Sequence, residues 1–420
     1  MPAIPLPCHN RMVTLRLPDD VRGEVAAPRA VNLPIDSSAA IRAALDSPIG
    51  TPPVEELVRS GSRVAVVIDD ITRETPTALL LSHLLPRLRQ AGVRPDDLSI
   101  VIALGTHRPM TPAEIKTKVS SRIAANYRVI NTPCTEKECF SALGKSAGGI
   151  PVRVNQAVAE ADVRIGLGMI IPHLDTGYGG GAKILLPGVC GQDTIAAFHA
   201  RMAQITGNQL GRQDAQLRLE LESFVRQHVP LDFIINVIPD RNGSLYRTVA
   251  GHPTAAHRAG AVYAREVFGA GVSQLFPVVI CNAHPHHIDF WQASKALASG
   301  ELMTDDGGTL ILLAACPEDM GRHPLFARYV GMDPGRLTRM IRENRAEDPV
   351  AAPEAVAVCR MRQRLRIVLV SEGIEPQRVR EMGMVHYTDI ETAVKKELTA
   401  AQGGKVGILT HGGVLVPMVR

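Results

Sequence analysis

A carboxylate and a guanidinium follow one apolar run closely enough to reach the same ligand. The run Val64–Ile68 is followed by Asp70 and Arg73, with Ile71 and Thr72 between them. In open α/β sheets, ligands bind at the carboxyl ends of the strands, so this turn is a candidate binding element. A helix cap with a surface ion pair would account for the same residues without any ligand.

A histidine follows a second apolar run. Gly105 and His107 come directly after Ile100–Leu104. Glycine allows the backbone to turn sharply, and a histidine, whose ordinary pKa lies near neutrality, is suited to proton transfer. A hydrogen-bonded structural histidine is the alternative interpretation.

A glycine-rich stretch precedes a single lysine, Lys183. Successive glycines expose backbone N–H groups that can hold a phosphate. The P-loop spacing is not met, because Ala182 separates the last glycine from the lysine and Ile184 stands where a serine or threonine would bind magnesium. A nucleoside triphosphatase is therefore disfavoured.

His199 lies sixteen residues beyond Lys183, on a predicted helix that we expect to begin with Asp193 as N-cap. Thiolate and carboxylate partners at metal-ligand spacing are missing from the sequence around it. Any metal bound to this histidine must therefore take its other ligands from something that is not protein. A buried structural histidine is again the alternative.

The order of these motifs is specific. The chain carries DDxTR, GTHRxMT, PH, GGGxK followed by LPG, and then a histidine. This order resembles the nickel-dependent lactate racemase family over about residues 60–200, with further echoes toward the C-terminus. The resemblance implies a covalently bound cofactor, the Ni(II)-pyridinium-3,5-bisthiocarboxylate mononucleotide or nickel-pincer nucleotide. It also implies that Lys183 is the tether and that His199 is the protein ligand to nickel.

The same resemblance assigns roles at the matching positions. His107 and His173 match the proton donor and acceptor on opposite sides of the substrate. Gln292 and Lys295 match a pair that holds the substrate, and their i, i+3 spacing places both on one helical face; an ordinary solvated helix face is the alternative. The turn that contacts cofactor and substrate matches Asp70, Ile71, Thr72 and Arg73.

The activity implied is that of an isomerase of the EC 5.1.2 type, a racemase or epimerase of a small 2-hydroxy acid. The reaction expected is reversible hydride transfer between the substrate and the lysine-tethered nickel-pincer nucleotide. The substrate stays open among lactate, longer aliphatic and aromatic 2-hydroxy acids, malate and sugar acids. Trp291 stands where a smaller aromatic residue is expected, and its role is open, as are those of His284, His286 and His287.

Two other classes of function fit parts of the same pattern. A nickel-independent enzyme could bind phosphate at the glycines or form a Schiff base at Lys183. A sensor of small acids could keep the fold and bind its ligand without turnover.

Apolar runs alternate with helical segments along the whole chain and predict an α/β protein of two domains. Each domain is expected to be a mostly parallel sheet flanked by helices, with the active site in the cleft between them. The predicted divisions are residues 1–270, which carry the cofactor site, and residues 271–405, which close over the substrate. Residues 406–420 contain a terminal strand that could join either domain, including a return to the first.

Composition narrows the partners. Net charge is +4 over 420 residues and aromatic content is 4%, which disfavours a nucleic-acid surface. Neither a leader at Met1–Asn10 nor a membrane span is predicted, so we expect a cytoplasmic protein that does not bind membranes. The seven cysteines include no CxxC pair and are expected to be free thiols. The expected partners are the small acid and the cofactor-biosynthesis proteins needed for loading.

Overall fold

The computed structural model describes residues 3–401 and 404–419, in which twenty strands and fifteen α-helices are present. The strands are β1 Ile4–Cys8, β2 Arg11–Leu15, β3 Arg22–Ala26, β4 Val64–Asp69, β5 Leu98–Ala103, β6 Arg128–Ile130, β7 Phe140–Lys145, β8 Pro151–Asn155, β9 Val163–Met169, β10 Pro172–His173, β11 Gly177–Tyr178, β12 Phe233–Pro239, β13 Leu245–Gly251, β14 Gly269–Val272, β15 Phe276–Asn282, β16 Thr304–Leu313, β17 Arg366–Val370, β18 Val385–Tyr387, β19 Lys405–Leu409 and β20 Val416–Val419. The helices are α1 Ser37–Asp46, α2 Thr77–Gln90, α3 Pro112–Val119, α4 Ser121–Asn126, α5 Gln156–Ala159, α6 Gln192–Met202, α7 Gln216–His228, α8 Pro253–Phe268, α9 Phe290–Ala293, α10 Lys295–Glu301, α11 Phe326–Val330, α12 Pro334–Arg342, α13 Ala351–Arg364, α14 Pro376–Glu381 and α15 Ile390–Ala400.

Two six-stranded sheets organise the chain. The first has the order β13-β12-β9-β4-β5-β6 and is parallel except for the pair β12 and β13. The second has the order β18-β17-β16-β15-β19-β3 and is parallel throughout. Helices flank both sheets, so the predicted fold class, α/β with mostly parallel sheets, is confirmed.

The apolar runs form strands because both faces of each sheet are covered. In β4 all six residues are buried. Val66 and Ile68 belong to the apolar cluster on one face, whereas Ala65 and Val67 belong to the cluster on the other. This alternation is what a strand between two helical layers requires.

The terminal strand joins the second sheet. β19 pairs in parallel with β15 on one side and with β3 on the other. The N-terminal segment therefore contributes an edge strand to the second sheet, although the expected division places residues 1–270 in the first domain. Leu6, Leu15 and Val21 pack against that sheet with Val278 and Ile280, and burial of these apolar side chains accounts for the pairing.

No helix in the described ranges is long and apolar enough to cross a membrane. All seven cysteines are free, and six of them are buried.

The glycine-rich stretch is fixed by one buried cation on α7. Arg218 has no exposed surface. It donates hydrogen bonds to the backbone carbonyls of Thr176, Tyr178 and Gly180, and its guanidinium lies 3.9 Å from the carboxylate of Glu222. A loop of glycines has high conformational entropy when free, so these hydrogen bonds are needed to hold it in one conformation.

We predict that Arg218→Met lowers the free energy of unfolding by about 3–5 kcal/mol, because removing one partner of a buried ionic network leaves the others unsatisfied. Urea unfolding of the apoprotein, followed by circular dichroism, measures the change. Arg212→Met is the matched control, since Arg212 pairs with Asp214 on the surface, and it should change stability by less than about 1 kcal/mol. Equal effects of the two substitutions would contradict the assignment.

Candidate active site

A cavity of about 210 Å³ lies between elements of the two sheets. Its walls come from the carboxyl ends of β12, β9, β4 and β5, from α6, and from α9, α10 and α13. The sequence-predicted residues that line it are Asp70, Thr72, Arg73, His107, His173, Lys183, His199, Gln292 and Lys295. Ile71 does not line it and is 37% exposed, so the structure gives this residue no contact with the cavity.

The strand order explains why the first three motifs meet. β9, β4 and β5 are neighbours and run parallel. Parallel strands place their carboxyl ends at one edge of the sheet. The turn 70–73, the loop 105–107 and the stretch 170–183 each follow one of these strands and therefore converge.

The turn after β4 holds one catalytic candidate in position. The Asp70 carboxylate accepts hydrogen bonds from the Thr72 backbone N–H at 3.1 Å and hydroxyl at 2.6 Å, and from His107 Nδ1 at 2.7 Å. Burial raises the pKa of Asp70, but the hydrogen bonds from His107 and Thr72 outweigh it and bring the net pKa below its usual value. The ionised carboxylate fixes the proton on His107 Nδ1, which leaves Nε2 as the basic atom.

A buried ion pair between Lys118 and Asp69 also stabilises this turn. Lys118 Nζ lies 2.7 Å from Asp69 Oδ1 and donates a hydrogen bond of 2.7 Å to the backbone carbonyl of Arg73. Thr75 donates its hydroxyl proton to Asp69. The helix-cap interpretation does not hold, because the next helix, α2, begins at Thr77 with no side-chain cap. The sequence gives no sign that Lys118 supports this turn, because a lysine on a helix about 45 residues later resembles any surface lysine.

The Arg73 guanidinium has N–H groups that make no hydrogen bond within the described ranges. Within the described ranges its guanidinium donates only to the carbonyl and hydroxyl oxygens of its neighbour Thr72, each at 3.3 Å. A planar guanidinium with unused N–H groups beside a cavity can bind a carboxylate through two parallel hydrogen bonds.

His173 is the second histidine at the cavity, in the short hairpin of β10 and β11. Its Nδ1 accepts a hydrogen bond of 3.2 Å from the backbone N–H of Asp175, so the ring proton lies on Nε2. Burial, followed by the charges of Lys183 and Lys295, lowers the pKa of His173 well below its usual value. Burial raises the pKa of Asp175 to about 6, against the opposing charges of the same two lysines. Asp175 lines the cavity but was not predicted, because it lay unmarked within the glycine-rich motif.

Lys183 lies in a 3₁₀ turn, Gly181–Ile184, at the cavity wall. Gly180 and Gly181 have φ values of 71° and 59°, a left-handed conformation that favours glycine. The N–H of Gly181 donates to Asn236 Oδ1 at 2.8 Å. Burial, followed by the charge of Arg73, lowers the pKa of Lys183 to about 7, so a substantial fraction of its amine is uncharged near neutral pH.

The glycine N–H groups are mostly engaged within the protein. That of Gly179 donates to the carbonyl of Ile171 at 2.8 Å, and that of Gly181 is taken by Asn236. A phosphate would have to compete with both acceptors. Asn236, on β12, was missed by sequence reasoning because a polar residue inside an apolar strand carries no ligand motif.

His199 extends from α6 to the cavity. Burial, followed by the charge of Lys183, lowers its pKa to about 4, so the imidazole is neutral, the form that binds metals. Its Nδ1 is buried and makes no hydrogen bond of ordinary geometry. The N-cap of α6 is Gly191 rather than the expected Asp193, which instead pairs with Arg153 at 2.8 Å because the helix begins earlier.

No cluster of three or more His, Cys, Asp or Glu side chains suited to a metal ion occurs within residues 3–401 and 404–419. His284 and His287 lie outside the cavity lining. His287 Nε2 donates to the carbonyl of Pro7 at 2.9 Å, and the His284 ring packs edge to face on His411 with centroids 4.9 Å apart. These contacts favour a structural role for both histidines.

The second half of the chain supplies an amide and an ammonium group. Asp289 caps α9, the helix breaks at Ser294, and α10 begins at Lys295. Lys295 Nζ donates to Gln292 Oε1 at 2.6 Å. Burial, followed by the like charge of Arg73, lowers the pKa of Lys295 to about 8. Arg73 and Lys295 line the same cavity. Trp291 and Glu354 complete this wall.

Comparison with known proteins identifies the family. Residues 9–211 match the lactate racemase N-terminal domain and residues 277–416 match the lactate racemase C-terminal domain. Similar proteins include a lactate racemase of Lactiplantibacillus plantarum, 26% identical and covering 99% of this chain and 100% of that protein, and one of Thermoanaerobacterium thermosaccharolyticum, 24% identical and covering 98% of each.

Two solved structures share the fold. The lactate racemase apoprotein from T. thermosaccharolyticum superposes with a TM-score of 0.88 at 23% identity, covering 100% of both chains. A Thermotoga maritima protein gives a TM-score of 0.65 at 17% identity, covering 89% of this chain and 100% of that one. With both of its domain models matched, the chain belongs to the lactate racemase family.

Proposed function

We propose that this protein is a racemase or epimerase of a small 2-hydroxy acid and that it uses a nickel-pincer nucleotide tethered to Lys183. The supporting observation is the convergence of two histidines, an uncharged lysine and a metal-competent histidine in one cavity. Relatives named lactate racemase, which align over nearly the whole chain, agree with this activity.

The residues present fit such a cofactor. An amine with a pKa of about 7 is a nucleophile that can be acylated near neutral pH. His199 offers one neutral nitrogen ligand, and with no protein cluster of metal ligands in the described chain the remaining ligands must be brought by the cofactor itself. Loading would require separate cofactor-biosynthesis proteins. When bound, the nickel-pincer nucleotide would supply a reversible hydride acceptor.

The protein residues would bind and orient the acid. Arg73 and Lys295 present two positive charges to the substrate carboxylate, and Gln292, which accepts from Lys295, holds that ammonium in place. Because binding removes water from these groups, their attraction for a carboxylate is stronger than it would be in solution.

Two bases serve the two antipodes. His107 Nε2, left unprotonated because the Asp70 carboxylate holds the ring proton on Nδ1, accepts the hydroxyl proton of one enantiomer. His173 donates or accepts the corresponding proton on the other side, and its low pKa keeps it neutral in the resting site. The reverse assignment of donor and acceptor applies when the other enantiomer reacts.

The alternative functions agree with the cavity to different degrees. Engagement of the Gly179 and Gly181 N–H groups disfavours an enzyme that binds phosphate at these glycines. A Schiff-base enzyme would also use an uncharged Lys183, and a sensor would need only the binding groups, so these two are separated from the racemase by experiment.

The first prediction concerns the tether. Protein co-expressed with the cofactor-synthesis enzymes should carry a covalent adduct and about one nickel per chain. Lys183→Ala should lose the adduct, because alanine has no amine to which the cofactor can be attached. Intact-protein mass and metal analysis measure both. Lys395→Ala, on the exposed face of α15, is the control and should load like wild type. Wild-type protein that stays unmodified under verified loading conditions would exclude this cofactor.

The second prediction concerns the amine itself. The rate of acetylation of Lys183 in the apoprotein should level off above about pH 8, since its pKa is lowered to about 7 and the amine is then already uncharged. A short unstructured reference peptide with one lysine, whose ordinary pKa is ~10.4, should react about tenfold faster per pH unit up to about pH 9. Pulse labelling with acetic anhydride and peptide mass spectrometry compare the two profiles. Parallel profiles would show that Lys183 is an ordinary amine.

The third prediction concerns the bases. His107→Asn and His173→Asn should each reduce kcat by about 10²–10⁴-fold. The loss in kcat/KM should be equal from the two enantiomers of a racemised acid, because antipodes have the same free energy and the two kcat/KM values must stay equal. Chiral chromatography with nickel-loaded protein measures the rates, and nickel content should be unchanged.

His9→Asn is the matched control for these substitutions. His9 lies in an exposed turn with φ of 54°, which asparagine tolerates well, so activity should stay within about twofold of wild type. A fully loaded His107 or His173 variant that keeps more than a tenth of the activity would remove that histidine from the mechanism.

A further inference from the structure

Glu354 is a carboxyl group at the second-sheet side of the cavity. It lies in the first turn of α13. It lines the main cavity and also a smaller adjoining one of about 30 Å³, and Trp291 and Lys295 are the other residues that line both. A group attached to a substrate bound by Lys295 would therefore pass Glu354 on entering the smaller cavity.

The hydrogen bonds around Glu354 leave it without a partner. Lys295 donates to Gln292 at 2.6 Å, and the Ser294 hydroxyl donates to the carbonyl of Trp291 at 3.0 Å. In the parts of the chain that the structure describes, the Glu354 carboxyl makes neither a hydrogen bond nor an ion pair within 4 Å. The side chain is half-buried and lines the cavity, so its carboxyl can hydrogen-bond a polar group of a ligand that binds there.

Most of the other walls of the smaller cavity are apolar. They are formed by Leu174, Ala298, Phe326, Ala357, Val358 and Met361. The Trp291 ring is held between His323, with centroids 4.1 Å apart, and Phe326 at 5.0 Å. The space therefore admits a short substituent. Ser294 and Lys295 also line it, but both already donate hydrogen bonds within the protein, whereas the Glu354 carboxyl makes none within the described ranges.

The charges near Glu354 determine which polar group of a ligand it can bind. Burial, followed by the like charge of Asp175, raises the pKa of Glu354 well above its usual value, although Lys295 and Lys183 act in the opposite direction. A carboxyl that holds its proton can both donate and accept a hydrogen bond. A hydroxyl is the neutral partner that matches this ability, whereas an ammonium group would lie close to Lys295 and Arg73 and a second carboxylate close to Asp175.

We propose that Glu354 selects 2-hydroxy acids that carry a further hydroxyl group on C3, of which glycerate is the smallest. This inference rests on the proposed function, because Arg73 and Lys295 are taken to hold the C1 carboxylate and His107 and His173 to face the C2 hydroxyl. With those groups assigned, Glu354, which lines both the main and the smaller cavity, is placed to bind a group on the next carbon. A site with a buried group that needs a hydroxyl partner discriminates strongly against the analogue that lacks one.

Glycerate and lactate test the inference directly, since they differ only by the C3 hydroxyl. For nickel-loaded wild-type protein, kcat/KM for glycerate should exceed that for lactate by at least about tenfold. Glu354→Leu should abolish this preference, whereas Glu354→Gln, which retains a donor and an acceptor, should keep most of it. Glu347→Leu, which removes an exposed carboxylate paired with Arg328, should leave the ratio as in wild type.

A second measurement does not depend on the cofactor. Trp291 is the single tryptophan of the chain and lines both cavities, so intrinsic fluorescence of the apoprotein reports ligand binding. Glycerate should bind more tightly than lactate to wild type, and Glu354→Leu should remove the difference.

The outcomes separate this inference from the proposed function. A loaded enzyme that racemises lactate and glycerate equally well, or prefers malate, overturns the selection by Glu354 and leaves the racemase intact. A wild-type ratio that survives in Glu354→Leu overturns it as well. A loaded protein that turns over none of these acids overturns the proposed function, and apoprotein fluorescence then decides the inference: equal affinities for glycerate and lactate overturn it.

Discussion

Removal of water from basic side chains is the constraint on which this site depends. Lys183, Lys295, His173 and His199 all have lowered pKa values, and burial is the largest cause for each. Arg73 adds to the effect at both lysines. A cluster of fully charged cations in a small cavity would be strongly unfavourable. The two histidines are therefore neutral near neutral pH and Lys183 is partly so, which provides nitrogen atoms that can act as base, nucleophile and metal ligand, while Lys295 with a pKa of about 8 stays largely protonated.

The scaffold holds these groups in place with a few buried ionic contacts. Lys118 and Asp69 fix the turn that presents Asp70 and Arg73. Arg218 fixes the glycine-rich stretch that presents Lys183. Both supports lie on helices away from the strand ends, so the cavity-lining loops gain precision without losing their exposure to ligand.

Each of the two sheets positions a different set of cavity-lining residues. The first brings histidines, the tether candidate and the metal-competent histidine to its carboxyl edge, whereas the second brings Gln292, Lys295 and Glu354. On the proposed function, the substrate carboxylate would be bound by groups from both sides, Arg73 from one and Lys295 from the other. A substrate held in this way would be shielded from water, which suits the proposed reaction because its keto-acid intermediate must not escape.

The sequence by itself determined much of this protein. Continuous apolar runs predicted buried parallel strands, and those at Val64–Ile68 and Ile100–Leu104 form strands whose bounds differ from the runs by one or two residues. The order of motifs was specific enough to indicate the family, and nine of ten predicted site residues line one cavity. These features are readable because they depend on local periodicity and on residue types at fixed spacing.

Only the tertiary structure decided the rest. Pairing of β3 with β19, and the return of the terminal strand to the second sheet, depend on contacts between residues nearly 400 positions apart. The positions of Asp175, Asn236 and Glu354 in the cavity follow from packing, and none carries a local motif. The charge states of Asp175 and Glu354 also follow from packing, because a pKa is set by burial and by neighbours in space, and a linear sequence specifies neither.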